Sequence, residues 1–264
     1  MGKGEAGTKM ILAVDIGNTK IVIGCIDNTG IVCKERIYTD DKRTSVEYAI
    51  TIKNILELYG INICDIKDGI ISSSVPPVTA VIRRALEKML KKKIFEVGPG
   101  VKTGLDIKID NPAELGPDLV VGAVAGIAQY GVPLIVIDMG TATTITVVNQ
   151  KRQVIGGMIM PGMQVSLEGL SLRTSHLPKI SVEAPKKLIG SNTIECMQSG
   201  ILYGNAACMD GMVQRIREQL GCEACVVATG SAAQKVIPLC REKMVIDDEL
   251  LLKGLKLIYD KNHR

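Results

Sequence analysis

An apolar run that ends in an aspartate and a glycine-bearing turn occurs twice in this chain, and the repetition restricts its fold more than any other feature. Met10-Ile-Leu-Ala-Val14 leads into Asp15-Ile-Gly-Asn-Thr19, and Pro133-Leu-Ile-Val-Ile137 leads into Asp138-Met-Gly-Thr-Ala-Thr-Thr144. Short apolar runs bounded by turn residues read as buried strands. A carboxylate at a strand end, followed by a turn with little side chain, suits a metal-assisted polyphosphate site. Dense negative charge calls for a cation, backbone N–H groups and small side chains. Two such elements imply two related halves that grip one nucleotide.

The flanking pattern supports duplication. Residues 10–15 and 21–26 read as a hairpin and Ile31–Tyr38 as a third strand. Thr44–Tyr59 reads as a helix with apolar positions Val46, Ile50, Ile55 and Leu58. Strand Asp68–Ser73 is then stopped by Ser74–Thr79, which opens helix Ala80–Lys92 with Ile82, Ala85, Leu86, Met89 and Leu90 on its apolar face; Phe95–Val97 returns as a strand. A polar connection, 110–118, leads to a small-residue helix Leu119–Gln129. Strands at 133–138, 143–149 and 153–158 repeat the opening plan, and Gly156–Gly162 reads as turn-rich before a helix at 163–173. Ile189–Glu218 reads as mostly helical with breaks near Gly200 and Gly204, Ala224–Gly230 as a strand, and Asp248–Lys261 as a last helix with Leu251, Leu252, Leu255 and Ile258 inward. The expectation is an α/β fold of two mixed-sheet domains, 10–115 and 116–264, with the active site in a cleft and the last helix packing back on the first domain.

Composition narrows the function. Aromatic residues make up 3% of 264, with no Trp and one Phe, so the surface lacks the platforms on which exposed bases stack. The net charge of +4 says little about partners. The basic run Lys88–Lys93 reads as a solvated helix end, with a nucleic-acid patch as the competing reading. Eight cysteines are scattered; Cys222-Glu-Ala-Cys225 has CxxC spacing, but only His176 and His263 could supplement it. An incidental pair is the simpler reading than zinc or redox chemistry. The polar start does not resemble a signal peptide, and a reducing cytoplasm is the expected home.

The residues can carry phosphoryl chemistry. Asp15 can hold Mg²⁺, Gly17 permits close backbone approach, and Asn18, Thr19 and Lys20 can reach phosphate oxygens; the plain alternative is a stabilised hairpin turn. Thr141, beside Gly140, is better placed for phosphate than the strand-forming Thr143 and Thr144. No P-loop and no dinucleotide fingerprint is present. Transfer to an alcohol also needs a carboxylate near the acceptor. Asp118, after Gly116-Pro117, is the candidate, with helix N-capping as its competing role; Glu114 is the weaker choice.

These motifs, together with Ser73-Ser-Val-Pro-Pro77, Asp110-Asn-Pro-Ala-Glu-Leu-Gly-Pro-Asp118, Gly157-Met-Ile-Met-Pro-Gly162, Ile189-Gly-Ser-Asn-Thr193, Met197-Gln-Ser-Gly200 and Ala228-Thr-Gly230, resemble in order those of type III pantothenate kinases over about residues 10–260. The resemblance implies two ribonuclease-H-like domains of the acetate and sugar kinase/Hsp70/actin superfamily, in a cytoplasmic homodimer. It implies ATP-dependent phosphorylation of pantothenate, with Mg²⁺ and a monovalent cation, K⁺ or NH₄⁺. It carries the role of catalytic base to Asp118, monovalent-cation ligand to Asp138, and ATP contact to Thr141. The first phosphate loop falls on Asp15, Ile16, Gly17, Asn18, Thr19, Lys20, Ile21 and Val22. The acceptor segment falls on Gly116, Pro117, Asp118 and Leu119, and a pantothenate contact near the subunit interface on Thr193. Two departures stand out: Leu119 replaces the family's usual arginine, and Ile109 its usual tyrosine. An arginine can hold a carboxylate bidentately and leucine cannot. A kinase for a related small alcohol, and a nucleotide-binding paralogue without catalysis, are therefore the alternative expectations.

Overall fold

Residues 10–263 are described by a computed structural model of the chain. The polar start, 1–9, lies outside the described residues. The first Asp-Gly run forms β1 (Met10–Ile16), which turns into β2 (Lys20–Ile26) and then β3 (Ile31–Tyr38), an antiparallel meander. Helix α1 (Ser45–Leu58) leads to β4 (Ile66–Ser73), which pairs parallel with β1; α2 (Pro76–Leu90) leads to the short β5 (Phe95–Glu96). Alternation sets the two faces. Leu12, Val14, Ile16, Ile21, Ile23 and Ile71 join the core with α1 and α2, while Ala13, Asp15, Gly24 and Ser72 face the other way.

The second half repeats this plan. After β6 (Asp106–Ile107) and α3 (Pro117–Tyr130), the strands β7 (Leu134–Met139), β8 (Ala142–Val148) and β9 (Gln153–Pro161) form another antiparallel meander. Helices α4 (Met163–Arg173) and α5 (Thr193–Leu220) precede β10 (Cys225–Thr229), parallel to β7; α6 (Ala233–Val236), β11 (Val245–Ile246) and α7 (Leu250–Asn262) complete the chain. The sheet orders are β3-β2-β1-β4-β5 and β11-β10-β7-β8-β9-β6. Read outward from β1 and from β7, the five central strands have one topology, that of a ribonuclease-H-like domain, present twice.

The chain divides into two compact units: residues up to Gly104 with Ala113–Ala125 and the stretch from Leu251, and Leu105–Pro112 with Gly126–Leu250. Helix α3 therefore contributes its start to one unit and its end to the other. In the first unit α7 covers the sheet face opposite α1 and α2, with Leu252 against Gly24, and Val121 of α3 packs on Gly254. In the second unit the end of α3 lies against Leu134 and Val136 at Gly126. Among the described residues, no helix is long and apolar enough to cross a membrane.

Four sequence expectations are corrected. In α1, Val46 (53% exposed), Ile50 (54%) and Leu58 (83%) face outward, and the buried stripe is Tyr48, Ile52, Ile55 and Leu56. Both stripes have helical spacing; Tyr48 decides between them by donating to and accepting from the backbone of Asp40 at 2.8 and 3.0 Å. Helix α2 starts at Pro76 rather than Ala80, because proline is tolerated at the first helical position, where no N–H is needed. The glycines 156 and 157 do not end β9: Gly156 (φ +146°) lies at a bulge opposite Val147, and Gly157 lets the strand approach the Ile145 carbonyl. Helix α5 is unbroken over 28 residues despite Gly200 and Gly204. Its buried stripe, including Met197, Ile201, Met209, Val213 and Ile216, outweighs the roughly 1 kcal/mol that each glycine costs.

Candidate active site

The first turn is built around Asp15. The residue is next to last in β1, with only 8% of its surface exposed. Gly17 N–H donates to the Lys20 carbonyl at 3.0 Å, and a Cβ at Gly17 would stand 3.1 Å from that oxygen, so the tight hairpin suits glycine. Thr39 clamps the turn from β3's end: its N–H donates to the Thr19 carbonyl at 3.0 Å and its hydroxyl to the Gly17 carbonyl at 2.7 Å. Because C=O and N–H of a trans peptide point to opposite sides, the Asn18 N–H is turned away from Thr39. Asn18 and Thr19 are exposed and Lys20 is half-buried. Ile16 and Ile21 are core residues and Val22 is half-buried, so the two isoleucines could meet a phosphate only through their main chain.

Asp118 lies in the first turn of α3, within the same unit as Asp15. Gly116 precedes the helix and accepts from the Val120 N–H at 3.1 Å. A Cβ on Gly116 would fall 2.5 Å from Asp118 Oδ1, so the glycine clears space for the carboxylate. Burial pushes the Asp118 carboxyl up from its ordinary value, opposed by N–H donors of Leu119 and of Asp118 itself. Gly116, the residue before α3, holds the N-cap position that is the competing role for Asp118. Pro117 and Leu119 flank it, half-buried, and Glu114 is exposed on a preceding turn of 3₁₀ helix.

The second turn belongs to the other unit. Asp138 stands at the end of β7 opposite Thr144 on β8 and Thr229 on β10. Gly140 N–H donates to the Ala142 carbonyl at 3.0 Å, and Gly162 N–H to the Thr141 carbonyl at 3.0 Å. Gly162 presses directly on the Gly140 and Thr141 carbonyls, and Thr141 is exposed. Gly230, at φ +92°, lies against the aspartate; a Cβ there would be 2.5 Å from Asp138 Oδ1. In the sequence this glycine shows only as the end of the Ala228-Thr-Gly230 motif, with no sign of its contact to Asp138.

Ile109 is half-buried just beyond β6. Thr193 opens α5, exposed, on a cavity of about 700 Å³ that Leu170, Leu177, Asn192, Cys196 and Gly200 also line. Asn192 caps the helix by accepting from the Glu195 N–H at 3.0 Å, and Glu195 accepts from Ser191 N–H and Oγ, each at 3.0 Å. Gly190 packs against the backbone of Glu195 and Cys196. The Gly-Ser-Asn-Thr motif is thus a helix start that fixes where Thr193 stands.

The donor set can be matched to the ions it would hold. Mg²⁺ beside a nucleotide commonly takes one or two carboxylates plus phosphate oxygens and waters. Asp15, in the turn whose Asn18 N–H points away from Thr39, supplies a carboxylate of that kind. Asp138, packed against the Gly230 backbone, offers hard oxygen to a cation. Among the described residues, no three His, Cys, Asp or Glu side chains cluster as a metal cage.

The model of one family, type III pantothenate kinase, matches residues 11–215. The type III pantothenate kinase of Bacillus cytotoxicus is 43% identical over 254 residues, covering 96% of this chain and 97% of its own. That of Halalkalibacterium halodurans is 44% identical over 253 residues, covering 96% and 100%. Among solved structures, component A of the Acidaminococcus fermentans (R)-2-hydroxyglutaryl-CoA dehydratase superposes with a TM-score of 0.58 at 16% identity, covering 97% of this chain and 99% of that one; it shares the fold. Fold and sequence together place the chain among the phosphotransferases built on paired ribonuclease-H-like domains. Within that class it belongs to the type III pantothenate kinase family.

Proposed function

We propose that this enzyme transfers the γ-phosphoryl group of ATP to the 4′-hydroxyl of pantothenate, the first step of coenzyme A synthesis, in the cytoplasm. The observation that carries the site assignment is the Asp118 carboxyl, set at a helix start in space cleared by Gly116 and made more basic by burial. It orients the acceptor hydroxyl and takes its proton as the oxygen attacks in line. Asp15 holds Mg²⁺, and residues 15–22 receive the phosphates, the isoleucines through main chain alone. Thr141 contacts ATP and Asp138 holds K⁺ or NH₄⁺. When bound, these ions neutralise charge on the transferring group. Gly116, Pro117, Leu119, Ile109 and Thr193 form the acceptor side.

We also assign a homodimer. Ile159, Leu172, Leu188, Ile189 and Ile194 of the second unit are large apolar side chains left exposed, which a second copy of the chain would cover. The test of the reaction is product analysis with ATP, Mg²⁺ and K⁺, run beside the Bacillus cytotoxicus enzyme. Phosphopantothenate from both supports the proposal; product from the control alone overturns it.

Leu119 and Ile109 favour a second reading, a kinase for a less charged alcohol. Loss of a charge-assisted contact costs about 1.5–3 kcal/mol of binding. On the pantothenate reading, Leu119→Arg lowers KM for pantothenate by roughly one to two decades, that energy expressed as affinity. Faster turnover of an uncharged analogue by the wild-type enzyme would favour the second reading.

A further inference from the structure

We propose that Ser72 is a positioning residue of the first phosphate turn. When a nucleotide binds, its hydroxyl turns about χ1 to donate to the Asp15 carboxylate and fixes which carboxylate oxygen is presented to the divalent cation. The inference rests on the metal-holding role assigned to Asp15.

Ser72 is fully buried, and its Oγ has no hydrogen-bond partner among the described residues. A buried hydroxyl without a partner is costly and uncommon, so its retention calls for a use. The adjacent hydroxyls are differently employed. Ser73 and Ser74 each reach the Ile16 carbonyl at 3.5 Å, and Thr79 donates to Ser73 at 2.6 Å.

Register places Ser72 beside the carboxylate. Asp15 and Ser72 are Cα partners across the parallel β1–β4 pair. Val14 and Ile16 on one strand, and Ile71 on the other, enter the core, so Asp15 and Ser72 share the opposite face. Neighbouring strands lie about 4.8 Å apart. A serine hydroxyl swings between three staggered positions about χ1, and a carboxylate on the adjacent strand is within its reach. The other sheet repeats the pairing: Asp138 on β7 has Thr229 of β10 as its parallel partner, and Thr229 is also buried. An aspartate at the end of the first strand, with a buried hydroxyl on the parallel strand beside it, is a duplicated feature of the fold.

The experiment uses the full chain, with Mn²⁺ as the probe and a non-hydrolysable ATP analogue, reading bound Mn²⁺ by electron paramagnetic resonance and apo stability by thermal unfolding. Ser72→Ala is expected to weaken Mn²⁺ binding by about tenfold, the lower end for loss of a group that orients a metal ligand. The apo protein should melt at the same temperature or higher, because without nucleotide the Ser72 hydroxyl is unsatisfied and alanine removes it. Ser72→Thr keeps the donor and should retain affinity. Ser72→Cys, a weak donor of similar size, should lose part of it and serves as the second variant should alanine impair folding. Asp15→Asn separates the two levels of the reading. Weaker Mn²⁺ binding in Asp15→Asn with no change in the Ser72 variants overturns the role of Ser72 alone. No change in any of them overturns the metal role of Asp15, and this inference with it.

Discussion

At the scale of single residues, Asp118 and Gly230 show how a side chain and the absence of one each set the surroundings of a carboxylate. Asp118→Asn should lower kcat by at least about 100-fold, the usual worth of a positioned base. Its effect on stability has the opposite sense. Burial raises the folded-state carboxyl above its unfolded value, so the charged form is penalised in the native protein at pH values above that raised value. The asparagine variant should therefore be as stable as wild type or more so at neutral pH, the gain vanishing in acid below the ordinary carboxylate range. Paired melts at neutral and acid pH measure this. The acid limb of the wild-type rate profile should lie above that of an ordinary aspartate. Gly230→Ala should destabilise by about 1–3 kcal/mol, because a side chain at φ +92° is strained and would collide with Asp138. Denaturant titration tests the stability, and the K⁺ concentration for half-maximal activity should rise. Asp15, Asp118, Asp138 and Thr141 could be singled out in the sequence because carboxylates and hydroxyls beside glycines are chemically conspicuous. Ser72 and Gly230 could not, since each matters through a strand pairing that the one-dimensional order conceals.

At the scale of elements, local chemistry and packing divided the work. Thr44 caps α1 in a capping box, accepting from the Glu47 N–H at 3.4 Å while Glu47 accepts from the Thr44 N–H at 2.7 Å. Thr44→Ala should cost about 1 kcal/mol in a melting experiment, without affecting the nucleotide turns. Gly204 lies exposed within α5 with nothing in the space of its missing Cβ. Gly204→Ala should stabilise the helix by about 0.5–1 kcal/mol, measured by denaturant unfolding. The sequence located β1–β4, β7, β8, β10 and α7 because their apolar periods are strong and their boundaries carry turn residues. It misjudged the buried face of α1, where two apolar stripes compete, and the glycines of β9 and α5. Glycine marks a turn only when the neighbouring structure gives the chain no better use for it.

At the scale of the molecule, the apolar side chains exposed between Ile155 and Ile194 are the test of assembly. Leu172 (75% exposed) and Ile189 (80%) sacrifice little intramolecular packing if replaced. Leu172→Glu with Ile189→Glu should convert the dimer to a monomer in light scattering while leaving the melting of each unit nearly unchanged. Wild-type protein that is already monomeric would contradict the dimer assignment. The sequence by itself determined that two α/β units recur and that each carries an Asp-Gly turn, because hydrophobic period and turn chemistry are local. It also supplied the phosphotransferase family, through motifs kept in order. The tertiary structure alone decided which face of each strand carries its aspartate and which buried hydroxyl or glycine stands beside it. It also decided that Asp118 is a half-buried group in the first helical turn rather than a helix cap. Those properties depend on register, burial and close approach between segments far apart in the chain, and no local pattern encodes them.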